Sequence, residues 1–288
     1  MNAVIFGAAG QDGVYLTDLL QRQQIDVIAV SRSAGFIHTD ITDYKAVHEL
    51  IKKYQPDHIF HFAANSTTRH EAIFENHAAI STGTLNILEA VKNSSAHTKV
   101  FISGSALQFK NDQQPIKETD AFEAKDAYSV SRIQSVYAAR YFRSLGMHVY
   151  VGYFFNHDSP LRTERHMCKK ISEACKRIAG GSEEKILIGD IKAVKEWTFA
   201  GDTVKAVLKL VEQDTVFETN IGTGIGHSIE DWLNECAAIA GINWREHVEI
   251  DHSFKPAYQR LVADPFLVNS LGWDPEVSFR DLAKMMMI

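Results

Sequence analysis

The stretch AVIFGAAGQDGVYLTDLL, residues 3–20, decides how the rest of the chain is read. AVIFG (3–7) is a short apolar run, and GVYLTDLLQRQQ (13–24) behind it repeats its apolar residues at helical period. Between strand and helix lie Gly7, Gly10 and Gly13, spaced GxxGxxG. Gly7 permits the tight turn, Gly10 a close backbone approach to a pyrophosphate, and Gly13 tight packing of helix on sheet. The opening helix presents free N–H groups and a partial positive charge to such an anion. Three glycines alone are a weak signal, because structural turns produce the same spacing. Their position between the first strand and the first helix is what points to a dinucleotide.

Working outward, DVIAVSR (26–32), DHIFHFAA (57–64), KVFISGS (99–105) and HVYVGYFFN (148–156) read as further strands. YKAVHELIKKY (44–54), NHAAISTGTLNILEAVKNS (76–94) and AYSVSRIQSVYAARYFRSL (127–145) read as helices between them. Strands alternating with helices of this length predict parallel βαβ units, because a parallel connection needs a crossover. The continuous apolar strands fit a sheet covered on both faces. The fold class expected is α/β, a Rossmann-type doubly wound parallel sheet. After residue 156 the pattern changes to a cationic helix in RHMCKKISEACKRIAGG, a short strand KILIG and a helix GDTVKAVLKLVEQ. The strand and turn FETNIGTG and the helix SIEDWLNECAAIAG follow. These predict a cofactor domain over 1–160 and a smaller C-terminal α/β lobe over 161–288, interleaved with the first.

Composition excludes several classes. The net charge of -6 argues against a nucleic-acid binder, though a local basic pocket for a phosphorylated ligand remains open. Three cysteines without metal-ligand spacing suit a reducing cytoplasm, where they serve as small core hydrophobes. The 13 histidines form no HxxxH or carboxylate–His pattern, so no metal is assigned. No apolar run approaches a membrane span, and MNAVIFGAAG has no basic region of a signal peptide. A cytoplasmic protein with no membrane partner is expected.

The end of the second strand separates NAD from NADP. An acidic side chain there would bind the ribose 2′-OH, whereas this chain reads Ser31-Arg32-Ser33. A guanidinium and two hydroxyls suit a 2′-phosphate, so NADP (NADPH) is the cofactor expected. Arg32 as a solvated loop residue is the plainer alternative. Asp40-Ile41 lies where an Asp could hold the adenine amino group, although Asp also caps turns. Further on, Tyr128 and Arg132 stand four apart on one helix face, and both can point at a nicotinamide. A tyrosine at its ordinary pKa of about 10 is a poor acid–base at neutral pH, and a fixed cation nearby favours its phenolate. A serine from the neighbouring strand end could bind the substrate oxygen.

With these residues in view, the chain resembles the extended short-chain dehydrogenase/reductase (epimerase/dehydratase) superfamily. Within it, the resemblance is to the GDP-mannose 4,6-dehydratase branch and its sister reductases of GDP-4-keto-6-deoxy sugars. GAAGQDGVYLTDLL resembles that branch's glycine loop, which places Gln11 and Asp12 at the cofactor. HFAANSTT resembles the element lining the cofactor site, which implies cofactor contacts at Ala63 and Ala64 and a substrate contact at Ser66. FFNHDSPLRTERHMCKKI, IGDIKAVKEWTFAGDTVKAV and LGWDPEVSF resemble three further family segments, and the Asn-His-Asp-Ser-Pro match is the most specific. The resemblance implies that Ser105 and Tyr128 are catalytic. Arg132 falls on the lysine that supports the tyrosine and binds the ribose. Asn156 falls on a phosphate contact of the nucleotide sugar, and Lys170 and Lys195 on basic positions of its pocket. Either lysine could equally be a solvated charge.

Two departures matter. The dehydratase carries a glutamate two positions after its catalytic Ser/Thr, and here that position is Leu107. Asp112, Glu118 and Asp120 lie in the following loop with nothing to seat them there. Losing such a proton-transfer group costs about 10²–10⁴-fold. Second, the family's Arg-Pro-x-Glu reads Lys255-Pro256-Ala257-Tyr258, so sugar or base contacts differ. The reading expected is therefore an NADPH-dependent reductase of a GDP-linked 4-keto-6-deoxy sugar. A nucleotide-sugar 4,6-dehydratase or epimerase is the alternative, and a catalytically silent NADP-binding protein a third. The short segment after the second strand (33–43) favours a homodimer.

Overall fold

The computed structural model describes residues 1–254 and 256–288. Its first half runs β1 (Asn2–Phe6), α1 (Gln11–Arg22), β2 (Asp26–Val30), α2 (Tyr44–Tyr54) and β3 (His58–His61). It continues through α3 (Ile73–Asn76), α4 (Gly83–Ser94), β4 (Lys99–Ser105), α5 (Ala127–Ser144) and β5 (Val149–Phe154). The helix expected over 76–94 starts earlier and is wound as a π-helix over His77–Thr82. There Ser81 Oγ turns outward to Ser131 O (3.2 Å) and Gln134 Oε1 (2.8 Å) of α5.

Beyond β5 the chain builds a second lobe from short pieces. β6 (His157–Asp158), α6 (Met167–Ala179), β7 (Ile186–Ile188), β8 (Val194–Lys195) and β9 (Thr198–Phe199) come first. α7 (Ala200–Val211) and β10 (Glu218–Ile221) then return to the main sheet. β11 (His227–Ser228), α8 (Ile229–Ala240), β12 (Val248–Ile250), β13 (Arg260–Leu261), α9 (Phe266–Ser270) and α10 (Phe279–Met287) complete the chain.

The main sheet has the order β10-β5-β4-β3-β1-β2, and all of its pairs are parallel. Strands are laid down to both sides of β1, so the strand order reverses at the C-terminal ends of β1 and β3. A crevice opens at such a point, and ligands of doubly wound sheets bind there. The Rossmann-type α/β sheet expected from the sequence is the one observed, with β10 as an added edge.

Alternation along the strands fills two cores. Val4 and Phe6 of β1 pack with residues of α2, α4 and α5, whereas Ala3 and Ile5 pack with those of α1 and α7. Each of Val4, Ile5 and Phe6, fully buried, contributes about 1.5–3 kcal/mol relative to exposure. A third core joins α6, α8 and α10, with the Trp197 and Trp232 rings stacked 4.6 Å apart. Two short pairings position the site. β6 lies beside β9, and β8 lies between β11 and β13, which brings Lys195 to the end of β5. No helix among the described residues is long and apolar enough to cross a membrane.

Candidate functional site

The loop after β1 has the geometry its glycines suggested. Gly7 takes φ +88°, and the N–H groups of Gly7 and Ala8 donate to Val30 O at 3.0 and 3.1 Å. A Cβ on Gly7 would meet Ala63 N at 2.7 Å, and one on Gly13 would meet Gly7 O at 2.5 Å. Gly10 caps α1 without a side chain, so the amides of its first turn face a cavity of about 520 Å³. That cradle, with no Cβ at Gly7, Gly10 or Gly13 and at the positive end of a 12-residue helix, fits a dinucleotide pyrophosphate.

Gln11 and Asp12 join this loop to the segment after β5. Gln11 Oε1 accepts from Ser159 Oγ at 2.7 Å, and Asp12 Oδ1 lies 2.9 Å from His157 Nε2. His157 Nδ1 faces Phe155 O at 2.8 Å. Both ring nitrogens therefore face acceptors, and both must donate, which requires an imidazolium. Burial alone would lower the His157 pKa, but the charge and hydrogen bond of Asp12 outweigh it and raise it. Burial opposes ionisation of Asp12 as well, yet His157 and then Arg162 bring its pKa down to about 2. The glycine loop and the Asn-His-Asp-Ser-Pro segment are thus one ion-paired unit. Asp12 and Gln11 serve this pairing first, in addition to lining the cavity.

Ser105, Tyr128 and Arg132 all line the same cavity. Ser105 ends β4 as a helix cap. Its Oγ accepts from Leu107 N at 3.2 Å, and its N–H donates to Gln108 Oε1 at 2.9 Å. Its hydroxyl proton is free to turn towards the cleft. Asp126 caps α5, accepting from Tyr128 N (2.9 Å) and Ser129 N (2.8 Å), and so fixes the first turn that carries Tyr128. The Arg132 guanidinium lies under the Tyr128 ring, 5.0 Å from its centroid, and is almost fully buried. Its Nη1 donates to Ser103 Oγ at 2.8 Å and also to Ser103 O. Arginine therefore keeps a charge beneath the tyrosine, and it does so by reaching back to β4.

The other end of the cavity is cationic. Asn156, Lys195, Arg162, Arg165 and His166 line it together with Tyr258. Lys195 Nζ lies over the Trp197 ring, 4.2 Å from its centroid. Arg162 donates to His157 O at 2.9 Å, with Nε 3.5 Å from Asp158 Oδ1. Burial works against the Asp158 charge, but Lys195 and Arg162 hold its pKa below the ordinary carboxylate value. Tyr258 donates towards Asn156 Oδ1 at 3.4 Å, and burial raises its pKa. Lys255 lies outside the described residues. Leu107 is half-buried in the wall beside Ser105.

The sequence matches the GDP-mannose 4,6 dehydratase family model over residues 4–286. The chain belongs to that family. GDP-mannose 4,6 dehydratase 2 of Arabidopsis thaliana is 31% identical over 99% of this chain and 85% of its own length. The GDP-mannose 4,6-dehydratase of Vibrio cholerae serotype O1 is 27% identical over 99% of this chain and 92% of its own length. Among solved structures, RMD of Pseudomonas aeruginosa complexed with NADPH aligns with TM-score 0.87 at 19% identity, covering 99% of this chain and 97% of its own. The UDP-glucose 4-epimerase of Thermus thermophilus in complex with NAD aligns with TM-score 0.86 at 20% identity, covering 100% and 98%. These two share the fold. The named curated relatives support the dehydratase alternative better than the reductase expected from Leu107.

Within this GDP-mannose 4,6-dehydratase frame, several of the expected residues lie outside the cavity or hold other partners. Lys170 does not line the cavity; its Nζ donates to Leu187 O at 2.7 Å on the outer side of α6. Lys170 stands three residues after Met167, about 60° round the helix and most of a turn further along it, and its long side chain leans on β7 instead of reaching back to the cleft that Met167 lines. Ile41 is a core residue, packed where a Cβ on Gly83 would touch it at 3.1 Å. Asp40 accepts from Thr42 N and Oγ1 at 2.9 and 2.8 Å, and so caps a turn. Ser31, Arg32 and Ser33 lie at the end of β2 outside the cavity, with Ser31 Oγ accepting from Ser33 N at 3.2 Å. Ala63 backs Gly7, whereas Ala64 and Ser66 line the cavity. Arg162, Arg165 and His166 were missed by sequence reasoning. The available signal was Arg162 standing four residues after Asp158, the spacing of an ion pair.

Proposed function

We propose that the protein binds a nicotinamide dinucleotide and performs redox chemistry on the sugar of a GDP-linked hexose, with dehydration as the net reaction. The observation that carries this reading is the convergence of Ser105, Tyr128 and Arg132 on the cleft opened by the glycine loop. Bound there, the nicotinamide would supply a hydride acceptor and donor. Tyr128 exchanges a proton with the reacting sugar oxygen, Ser105 Oγ donates a hydrogen bond to the same oxygen, and Arg132 supplies charge under the ring. Lys195, Arg162 and Asn156 are suited to the diphosphate. NADP is the preferred form, supported by exposed Arg32 between two serines at the end of β2. Lobe 161–288 is assigned to the nucleotide sugar, and the exposed Tyr137 and Tyr141 of α5 support a homodimer. A cytoplasmic setting accords with the three free, buried cysteines.

Leu107 favours a second reading, reduction of a GDP-linked 4-keto-6-deoxy sugar. That reaction needs only proton donation from Tyr128, whereas water elimination needs a further acid–base beside Ser105. The experiment is to incubate the protein with NADP and GDP-mannose, and separately with NADPH and GDP-4-keto-6-deoxymannose. Water elimination in the first supports the dehydratase, and stoichiometric loss of NADPH absorbance in the second supports the reductase. Cofactor binding without either reaction would leave a silent binding protein.

A further inference from the structure

We infer that Ser103 is a positioning residue, which seats the Arg132 guanidinium beneath Tyr128 and so adapts the site to an arginine. The inference rests on the proposed nicotinamide binding. Ser103 lies on β4 two residues before Ser105, 2% exposed, at the floor of the cavity. A serine hydroxyl has one proton to give, and here Oγ donates it to His61 O at 2.9 Å on the neighbouring strand β3. Its lone pairs are thereby directed at Arg132 Nη1, which donates to Oγ at 2.8 Å and to the Ser103 carbonyl. Two acceptors from one residue fix the plane of the guanidinium.

The remaining surroundings of Arg132 supply no competing anchor. Its Nε is buried without a partner, and among the described residues Nη2 takes no hydrogen bond. The titratable groups facing it are Tyr128 on its own helix and His61 on β3. His61 is fully buried, and neither ring nitrogen makes a hydrogen bond of good geometry, although the Ala79 and Ile80 backbone lies beside the ring. Burial first, and then the Arg132 charge, push its pKa down to about 3, so it stays neutral and offers no anion. Ser103 is therefore the only anchor among the described residues that sets where the guanidinium stops. Arg132 lines the cavity and its Nη2 is left without a protein partner, so a bound diol could accept from it. A lysine side chain ends one bond sooner and does not depend on this anchor.

The test is a double-mutant cycle of Ser103→Ala and Arg132→Lys, read as the dissociation constants of NADPH and NADH from nicotinamide fluorescence. Thermal unfolding of each variant serves as the control for folding. In the arginine background, Ser103→Ala is expected to weaken the tighter-binding cofactor about tenfold, the scale of one hydrogen bond to a charged group. In the Arg132→Lys background the same change is expected to cost less than about twofold, because the anchor is no longer used. Equal losses in both backgrounds would overturn the inference, leaving Ser103 a packing residue. Wild-type protein that binds neither cofactor would instead overturn the nicotinamide reading, and the inference with it.

Discussion

Asp12 of the glycine loop and His157, just past the end of β5, form an ion pair with Oδ1 and Nε2 2.9 Å apart. It spans 145 residues of sequence and closes one wall of the cofactor cleft. Gln11, one residue before Asp12, and Ser159, two residues after His157, repeat the connection at 2.7 Å. The Gln-Asp-Gly of the loop and the Asn-His-Asp-Ser-Pro segment are therefore two halves of one latch.

The latch titrates, and its sign follows from both partners. The His157 pKa is raised on folding, so its contribution is complete below about 6.5 and is lost as pH rises through the raised value. Asp12 is depressed to about 2, so its contribution is present above the ordinary carboxylate range and is lost as pH falls through about 2. Asp12→Asn is expected to lower the unfolding free energy by about 3 kcal/mol near pH 5–6 and by much less near pH 9. Urea denaturation of both proteins at the two pH values measures this. A loss of equal size at both would mean that the pair does not change its charge between the two pH values.

In the proposed reaction Tyr128 is the group that exchanges a proton with the sugar oxygen. Tyr128→Phe is expected to leave cofactor binding within about twofold and to lower turnover by about 10²–10⁴-fold. Single-turnover measurement of the reaction found for the wild type separates the two effects. Retained turnover would hand the proton to another group.

The cationic end of the cavity should distinguish two lysines that look alike in the sequence. Lys195 lines the cavity, whereas Lys170 is tied to Leu187 O outside it. Lys195→Ala is expected to weaken GDP binding by about tenfold, and Lys170→Ala by less than about twofold. Calorimetric titration with GDP reads both. The reverse ranking would place the nucleotide on the far side of α6.

Much of this was legible in the sequence, for physical reasons. Strand and helix order followed from apolar period, and the glycine spacing located the cradle because φ +88° at Gly7 and the contacts at Gly13 tolerate no Cβ. Ser105, Tyr128, Arg132, Asn156 and Lys195 were brought together as expected. What was not legible shares a cause: it required knowing where a side chain is turned. Lys169 and Lys170 are adjacent, yet Lys169 Nζ pairs with Glu173 at 2.7 Å and Lys170 leans on β7. Ile41 packs against Gly83 and Asp40 accepts from Thr42. Neither the latch partners nor the Ser103 anchor carries a local signal, because each contact joins segments far apart in sequence.

Leu107 bears most directly on which net reaction the site performs. It lines the cavity two residues after Ser105, half-buried and packed against the core below β4. Among the described residues lining the cavity, the carboxylates are Asp12 and Asp158. Both are committed, Asp12 to His157 and Asp158 to Arg162 and to the Cys168 thiol at 2.7 Å. Leu107→Glu would place a free carboxylate at the wall beside Ser105 and Tyr128. If proton transfer limits elimination, this variant is expected to raise water loss from GDP-mannose by about tenfold or more, within the range of general acid–base groups. Burying the charge is expected to lower the unfolding free energy by about 1–3 kcal/mol, so the thermal midpoint should fall while turnover rises. Formation of the 4-keto product, followed with NADP present, checks the rate. A variant that stays folded and binds cofactor but eliminates no faster than the wild type would show that the missing carboxylate is not what limits dehydration here, and would favour ketone reduction at this site.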